Sequence, residues 1–234
     1  RTAMTKIDDA LGGNSLGLIV DLRNNPGGLL RQAIRVSDVF LDEGTIVSVR
    51  GRLEEDNDLF RASDGDLATG KTVIILVNEG TASAAEIVAG ALQENHRAIV
   101  VGYRSFGKGS VQTIFSMGDS GALRLTTALY YTPSGRTIQA WGILPDLLIE
   151  SDGKKSGRRE EELKGALSRG EATPHVIGPR ATIRGERCNQ LLAKPMDDHD
   201  LACAVALLRA GSLDRLEHLA SSVAGSQQDA SRKE

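Results

Sequence analysis

The chain has 234 residues, of which 40% are hydrophobic and 25% charged, and its formal net charge is −3. This composition is ordinary for a globular protein and sufficient for one large or two modest domains. The nearly balanced charge gives no reason to expect nucleic acid as a partner, and no apolar run approaches the roughly 20 residues that span a bilayer.

The first 150 residues alternate short apolar runs with helical patterns. In chain order they predict a helix over residues 1–14, a buried strand over 16–22, a helix after residue 28, strands over 45–52 and 71–77, a helix over 83–95, a strand over 98–102, and two strands after the loop around Lys108. Residues 53–70 are polar and rich in turn formers, which predicts an exposed connection. Strands that alternate with helices at this spacing predict an α/β fold with much parallel sheet.

The last 84 or so residues differ in character from the first 150. Residues 151–198 are charged and interrupted by Gly and Pro, which predicts a solvated linker with a short helix. Residues 199–220 are apolar at helical spacing, and residues 221–234 predict a disordered tail. We expect the cysteines Cys188 and Cys203 to be free thiols, with a disulfide between them as the alternative, and we expect no metal site.

One hydroxyl group stands out in the motif NEGTASAAEIVAGAL (residues 78–92). The apolar run before it predicts a buried strand that ends at a turn, and Ser83 then begins a helix among residues with almost no side-chain bulk. This arrangement suits either close packing of helix on sheet or a serine that a substrate must reach. A nucleophilic serine requires a base within hydrogen-bond reach, because its hydroxyl is scarcely ionised at neutral pH.

The candidates for the base that activates Ser83 are histidine and lysine. None of the four histidines, at positions 96, 175, 199 and 218, lies in a glycine-rich setting, and His96 follows a predicted helix, where a positive ring suits the helix dipole. Lys108, in the motif SFGKGSVQ, is flanked by two glycines that allow its loop to press inward. Burial disfavours the ammonium form and makes a lysine competent as a base, although a surface lysine in a glycine turn has the same sequence.

The same loop permits another interpretation. Ser105 and Lys108 match the pattern S-x-x-K, in which the serine is the nucleophile of penicillin-binding proteins and serine β-lactamases. Those enzymes place the pair at the start of a helix, and here Gly107 and Gly109 disfavour a helix.

Four motifs together resemble one family. They are DLRNNPGG, GTASAAEIVAGALQ, RSFGKGSVQT and LTTALYYTPSGRTIQAWGILPD, and they span about residues 17–146. In this order and at these intervals they closely resemble the carboxyl-terminal processing peptidases, the tail-specific serine proteases of peptidase family S41, which use a Ser-Lys dyad. The resemblance implies a ClpP/crotonase-like spiral of β-β-α units over residues 1–150, with a mostly helical C-terminal extension.

The resemblance assigns roles to six residues. Ser83 matches the nucleophile, Lys108 the general base, and Gln112 the polar residue that orients the lysine. Ala84 and one of the glycines Gly27 and Gly28 match the donors of the oxyanion hole. The two glycines belong to the motif RNNPGG (residues 23–28), which we call the glycine turn, and a plain strand-to-helix turn is the alternative reading of this segment.

Other polar residues near these motifs have structural readings. We expect Glu86 to be a helix-dipole partner or a solvated side chain, Glu94 to lie at the surface, and Asp21 and Arg23 to form an ion-paired scaffold. Tyr130, Tyr131 and Thr132 either line the site or pack in the core.

The resemblance also carries expectations about the setting of the protein. Family members act on protein substrates with exposed C-termini in the bacterial periplasm or cell envelope or in the chloroplast lumen, use no cofactor, and in some cases have an adaptor protein or assemble through terminal helices. They carry a PDZ domain and N-terminal helices before the segment in which this sequence begins, so we expect weak or no activity from this piece alone. A catalytically incompetent scaffold and a crotonase-like acyl-transfer enzyme are the alternatives.

Overall fold

The computed structural model describes residues 15–150, 157–167 and 178–231, together with Thr2, Thr5 and Lys6. The helix predicted for residues 1–14 lies almost wholly outside the described residues, as do two stretches of the predicted linker.

Strands and helices alternate along the described chain. The strands are β1 (Gly17–Asp21), β2 (Thr45–Gly51), β3 (Asp58–Arg61), β4 (Thr72–Val77), β5 (Ala98–Gly102), β6 (Ser110–Ser116), β7 (Ala122–Tyr131), β8 (Leu147–Glu150) and β9 (Ala181–Arg184). The α-helices are α1 (Leu30–Asp38), α2 (Ala84–Glu94), α3 (Gly185–Gln190), α4 (His199–Ala210) and α5 (Leu213–Ser231). The predicted α/β class is confirmed.

A parallel sheet with the order β1-β4-β5-β8-β9 forms the centre of the fold. Its strands are short apolar runs because both faces are covered, as is usual for parallel sheets. Along β4, Val73, Ile75 and Val77 pack into one core, whereas Ile74 and Leu76 pack into a second core on the opposite face. Helices α1 and α2 belong to the first core, and α4 and α5 belong to the second.

The parallel strands bring the site to one edge of this sheet. Strands β1 and β4 pair in parallel from Gly17 opposite Thr72 to Asp21 opposite Leu76, so the segments that follow them leave the sheet side by side. The glycine turn follows β1, and the segment with Ser83 follows β4. This is the edge at which ligands bind in open α/β sheets.

A second, antiparallel sheet has the order β3-β2-β7-β6. Its strand β3, together with a 3₁₀ turn at Glu54–Asp56, lies in the segment predicted to be an exposed connection. Strands β6 and β7 form a long hairpin with a register shift between Val111 and Gln112.

The C-terminal region is more ordered than the sequence analysis expects. Strand β9 adds to the parallel sheet beside β8, within the segment predicted to be a solvated linker. Helix α5 continues to Ser231, into the predicted disordered tail, because no proline interrupts the pattern once the helix has been nucleated.

The two cysteines form a disulfide, so the expectation of free thiols is wrong. Cys188 lies on α3 and Cys203 on α4, and both are fully buried in the second core. The pair is fixed by the packing of the two helices, which a sequence without a CxxC motif does not reveal.

Candidate active site

Ser83 lies at the turn between β4 and α2 in a strained backbone conformation. Its φ is 55° and its ψ is −120°, values that cost a residue with a Cβ about 1–3 kcal/mol and that cluster at functional sites. The serine is half-buried, and its hydroxyl makes no capping hydrogen bond to α2. The hydroxyl group therefore remains available for chemistry.

The glycine turn packs directly against this serine. Gly27 has a φ of 102°, and a Cβ atom there would lie 2.8 Å from the Ala82 oxygen and the Ala84 nitrogen and 2.9 Å from the Cβ of Ser83. Because real Cβ atoms do not approach backbone so closely, only glycine allows this contact. Gly28 has open space around its Cβ position.

Two backbone amides beside Ser83 are without an acceptor among the described residues. The amide of Gly27 donates to the Asn25 side-chain oxygen at 2.9 Å, so it is already engaged. The amides of Gly28 and Ala84 make no hydrogen bond in the described part of the chain. Ala84 is the first residue of α2, where free amides are expected. Of the two glycines, Gly28 is therefore the one with a free donor.

Cavities lie on both sides of the turn. One, of about 150 Å³, is lined by Gly27, Gly28 and Ala84 together with apolar side chains that include Leu29, Val36 and Val88. The other, of about 450 Å³, is lined by residues that include Pro26, Phe106, Lys108 and Arg158.

Glu86 connects the predicted nucleophile with the predicted base. Its Oε2 accepts hydrogen bonds from the backbone nitrogens of both Ser83 (2.8 Å) and Lys108 (2.9 Å). Its Oε1 accepts from the Ser105 hydroxyl (2.6 Å) and the Gly107 nitrogen (2.7 Å). One carboxylate thus fixes the backbone of both segments, although they are far apart in sequence.

The carboxyl group of Glu86 is fully buried, so the expectation of a solvated side chain is wrong, whereas its place at the start of α2 agrees with the helix-dipole alternative. It lies in the first turn of α2, but its function there is to receive four donors. Burial raises the pKa of Glu86 to about 7, while the four hydrogen bonds pull the pKa down. Sequence reasoning missed this role because three of the donors come from the loop before β6.

Lys108 is half-buried and lies in a tightly packed loop. A Cβ on Gly109 would lie 2.3 Å from the Gln139 nitrogen, and the Gly109 amide donates to the Gln139 side-chain oxygen. A Cβ on Gly107 would lie 3.1 Å from the Gly142 nitrogen. The flanking glycines thus let the loop press against residues 139–142.

The side chains of Ser83, Lys108 and Gln112 are not hydrogen-bonded to one another in the described part of the chain. No hydrogen bond links the Ser83 hydroxyl to the Lys108 amine in the part of the chain that the structure describes. Gln112 is exposed and follows the register shift in β6, and it makes no hydrogen bond to Lys108 among the described residues. The roles of these three side chains therefore stay predictions.

Ser105 is not a candidate nucleophile. It is fully buried, its hydroxyl donates to Glu86, and the same oxygen accepts from the Ile143 nitrogen at 2.6 Å. The S-x-x-K interpretation of Ser105 and Lys108 is therefore wrong. His96 is exposed and lies beyond the end of α2 opposite Ser83, and His199 and His218 lie on α4 and α5.

Three further expectations have clear outcomes. Glu94 is not a surface residue, since its side chain is 3% exposed and pairs at 3.2 Å with Arg136, which is 2% exposed. The ion pair of Asp21 with Arg23 is confirmed at 2.7 Å. Tyr130 packs in the first core, and burial raises its pKa.

Comparison with known proteins decides which family the chain belongs to. Residues 2–149 match the model of peptidase family S41. The chain belongs to this family. A carboxy-terminal-processing protease of Bartonella bacilliformis is 50% identical over 197 residues, which cover 82% of this chain and 44% of the relative. A carboxyl-terminal-processing protease of Synechocystis is 46% identical over 134 residues, which cover 57% of this chain and 31% of the relative.

Solved S41 structures confirm the predicted fold. The photosystem II D1 C-terminal processing protease matches with a TM-score of 0.57 and 33% identity over 62% of this chain and 38% of that one. A protein from Bacteroides fragilis, described as a putative S41 protease, matches with a TM-score of 0.55 over 90% of this chain and 49% of that chain. Because the two sequences are only 17% identical, this match supports the fold alone. The chain spans less than half the length of each of these proteins.

Proposed function

We propose that the protein is a serine endopeptidase of the carboxyl-terminal processing type, in which Ser83 and Lys108 form the catalytic dyad. The observation that carries the proposal is the shared oxygen of Glu86, which bonds to the backbone nitrogens of both residues. A buried carboxylate bridging a strained serine and a glycine-flanked lysine is a costly arrangement, and such arrangements persist where function requires them. The names of the relatives support the same activity.

The chemistry is acyl transfer in two steps. The neutral amine of Lys108 accepts the hydroxyl proton while Ser83 attacks the peptide carbonyl carbon, and the resulting ammonium donates that proton to the leaving amine. Water then attacks the acyl-enzyme with the same amine as base, which releases the carboxylic acid and restores Ser83. Gln112 orients the Lys108 nitrogen without a negative charge that would favour the ammonium form.

The oxyanion receives hydrogen bonds from two backbone amides, those of Ala84 and Gly28. Both amides lack an acceptor among the described residues, and both residues line the cavity of about 150 Å³. Loss of one such donor costs about 2.7–4 kcal/mol of transition-state stabilisation. The apolar lining beyond them, from Leu29, Val36 and Val88, suits an apolar side chain of the substrate.

The substrate is a polypeptide cleaved at or near its C-terminus, in the bacterial periplasm or cell envelope, with an adaptor protein or self-assembly through terminal helices as further partners. These proposals rest on what relatives are named and on the resemblance of the motifs. They concern the whole protein, of which this chain spans a part.

A second candidate is a catalytically slow chain that becomes competent only when further segments or a substrate draw the dyad together. It is favoured by the missing hydrogen bond between the Ser83 hydroxyl and the Lys108 amine in the described region. Catalytic hydrogen bonds often tighten only when a substrate is bound, so this arrangement is compatible with the proposed activity.

The proposal is tested by cleavage of casein and of a peptide with a free C-terminal carboxylate. The full-length protein is compared with its Ser83→Ala, Lys108→Ala and His96→Ala variants. We expect the first two to lose activity by at least about 10⁴-fold and the third to keep it. Loss of activity in the His96 variant alone would overturn the dyad.

A further inference from the structure

Arg23, the first residue of the glycine turn, is paired with three carboxylates, those of Asp21, Asp198 and Asp200. The Asp200 carboxylate is the most distant, with its Oδ2 3.6 Å from Nη1 of Arg23. The Nε and Nη2 of Arg23 donate to Asp21 at 3.0 and 2.7 Å. Its Nη1 and Nη2 donate to the two oxygens of Asp198, each at 2.8 Å. The Arg23 side chain is 17% exposed, so solvent screens these contacts only in part. A bidentate pair of this kind fixes the direction of the guanidinium as well as its position.

Asp198 comes from the C-terminal region, outside the residues that match the S41 model. It lies between Cys188 and Cys203, so the disulfide closes the segment that carries it. Asp198 is also the N-cap of α4, because its Oδ1 accepts a hydrogen bond from the Leu201 nitrogen at 3.0 Å. The carboxylate is thus fixed from behind by a helix and by a covalent crosslink, which makes it a firm support for Arg23.

The segment after Arg23 is tied to the nucleophile. Asn24 has a φ of 56°, and its amide donates to the Asn78 side-chain oxygen at 2.9 Å. The carbonyl oxygen of Asn25 accepts from the nitrogen of Ala82, the residue before Ser83, at 2.9 Å. A shift of Arg23 would therefore move the turn that carries the free amide of Gly28.

We propose that Asp198 is a positioning residue for the oxyanion donors, acting through Arg23 on the glycine turn. The disulfide-closed segment 188–203 then serves catalysis as well as packing, and the C-terminal region completes the site. This inference rests on the proposed peptidase function and adds to it a part of the chain that lies outside the family match. Hydrogen bonds from Arg23 also hold the pKa values of Asp198 and Asp21 below their usual range, so both carboxylates stay charged near neutral pH.

Asp198→Ser separates the two roles of the residue. Serine is a good N-cap, so α4 keeps its cap, but serine is too short to make the bidentate contact with Arg23. We expect kcat for a peptide with a free C-terminal carboxylate to fall about tenfold or more, because misplacement of a site by even about 1 Å can cost 10²-fold. KM should stay within about twofold and the melting temperature should barely change, since the cap and the buried cores are intact. The matched control is Glu150→Ser, which breaks an exposed ion pair with Arg184 in the parallel sheet.

Action through Arg23 is tested by a double-mutant cycle. If Asp198 works through the guanidinium, the Arg23→Gln/Asp198→Ser variant is no slower than Arg23→Gln alone. Amide hydrogen exchange of residues 23–28 should be faster in Asp198→Ser and unchanged in the Glu150 control. Additive losses in the cycle, or a kcat for Asp198→Ser within about twofold of the parent, would overturn the inference.

The failure of this inference can be told apart from failure of the proposed function. Ser83→Ala on the same substrate tests whether the protein is a Ser83 peptidase at all. Amide hydrogen exchange of residues 23–28 does not depend on activity. It therefore tests the coupling of Asp198 to the glycine turn even if the Ser83→Ala variant stays active. A dead Ser83 variant beside a fully active Asp198→Ser variant would refute only the positioning role.

Discussion

Replacement of Glu86 by glutamine removes the charge that joins Ser83 to Lys108 while keeping the shape of the side chain. A carboxamide has one oxygen and one NH₂ group, so it accepts the donors on only one side. In one orientation the backbone nitrogens of Ser83 and Lys108 face the NH₂ group, and in the other the Gly107 nitrogen and the Ser105 hydroxyl face it. Either way two buried donors lose their acceptor.

Two opposing terms set the stability of the Glu86→Gln variant. Each unpaired buried donor costs about 1–3 kcal/mol, so the variant loses about 2–6 kcal/mol. The neutral amide also avoids the desolvation of a buried charge. Because the pKa of Glu86 rises from 4.5 to about 7, this adds back about 3 kcal/mol to the free energy of unfolding above pH 7. The net loss is thus at most about 3 kcal/mol, and we expect the variant to fold.

Activity should suffer far more than stability. Without the shared oxygen the backbones of Ser83 and Lys108 are no longer fixed to each other, and we expect kcat to fall about 100-fold. The assay is cleavage of a peptide with a free C-terminal carboxylate at pH 8, beside thermal unfolding, with Glu150→Gln as the control for loss of an exposed carboxylate. A folded Glu86→Gln variant with kcat within about threefold of the parent would refute the tethering role.

The pH dependence of the parent protein gives a second readout of Glu86. Because the pKa of Glu86 is raised in the folded state, the contribution of this group to the free energy of unfolding is greatest below pH 4.5 and falls by about 3 kcal/mol as the pH rises to about 7. Over the same range kcat should rise, since only the ionised carboxylate accepts all four hydrogen bonds. Glu86→Gln should lack both of these changes, and persistence of either in the variant would assign it to another group.

Three further outcomes are expected. Gly27→Ala should lower kcat by about 100-fold, because its Cβ would collide with the backbone beside Ser83. Gly28→Ala should keep most of the activity, because the space around its Cβ position is open. Equal losses in the two variants would contradict the role of the close contact between Gly27 and the Ser83 segment. Glu94→Ala should lower the free energy of unfolding by about 3–5 kcal/mol, because it leaves a buried guanidinium unpaired, and urea denaturation would measure this. Replacement of Cys188 and Cys203 by alanine should cost about 3 kcal/mol by the same measurement, and a change under about 1 kcal/mol would mean that the crosslink is dispensable for stability.

The elements that the sequence predicts well are those with a local cause. The continuous apolar residues of β4 require burial on both faces, and the glycine turn requires a backbone that only Gly27 can adopt in that contact. Both features can be read from a few neighbouring residues, and so can the start of a helix after Ser83.

The features that sequence reasoning missed depend on partners far away in the chain. Glu86 and Glu94 look like charges on an exposed helix face until the loops around Gly107 and Arg136 fold against α2. The contact of Arg23 with Asp198 joins the two ends of the described chain. No pattern of spacing encodes such contacts, because each becomes favourable only once the sheet has brought its partners together.

The identity of the nucleophile is tested most directly by locating the acyl group. The full-length protein is mixed with an excess of peptide substrate, quenched in acid within one turnover, digested, and mapped by mass spectrometry. The adduct should lie on Ser83 in the peptide that contains the start of α2, and Ser83→Ala should give none. An adduct on another residue, or full cleavage activity in Ser83→Ala, would contradict the Ser83 mechanism.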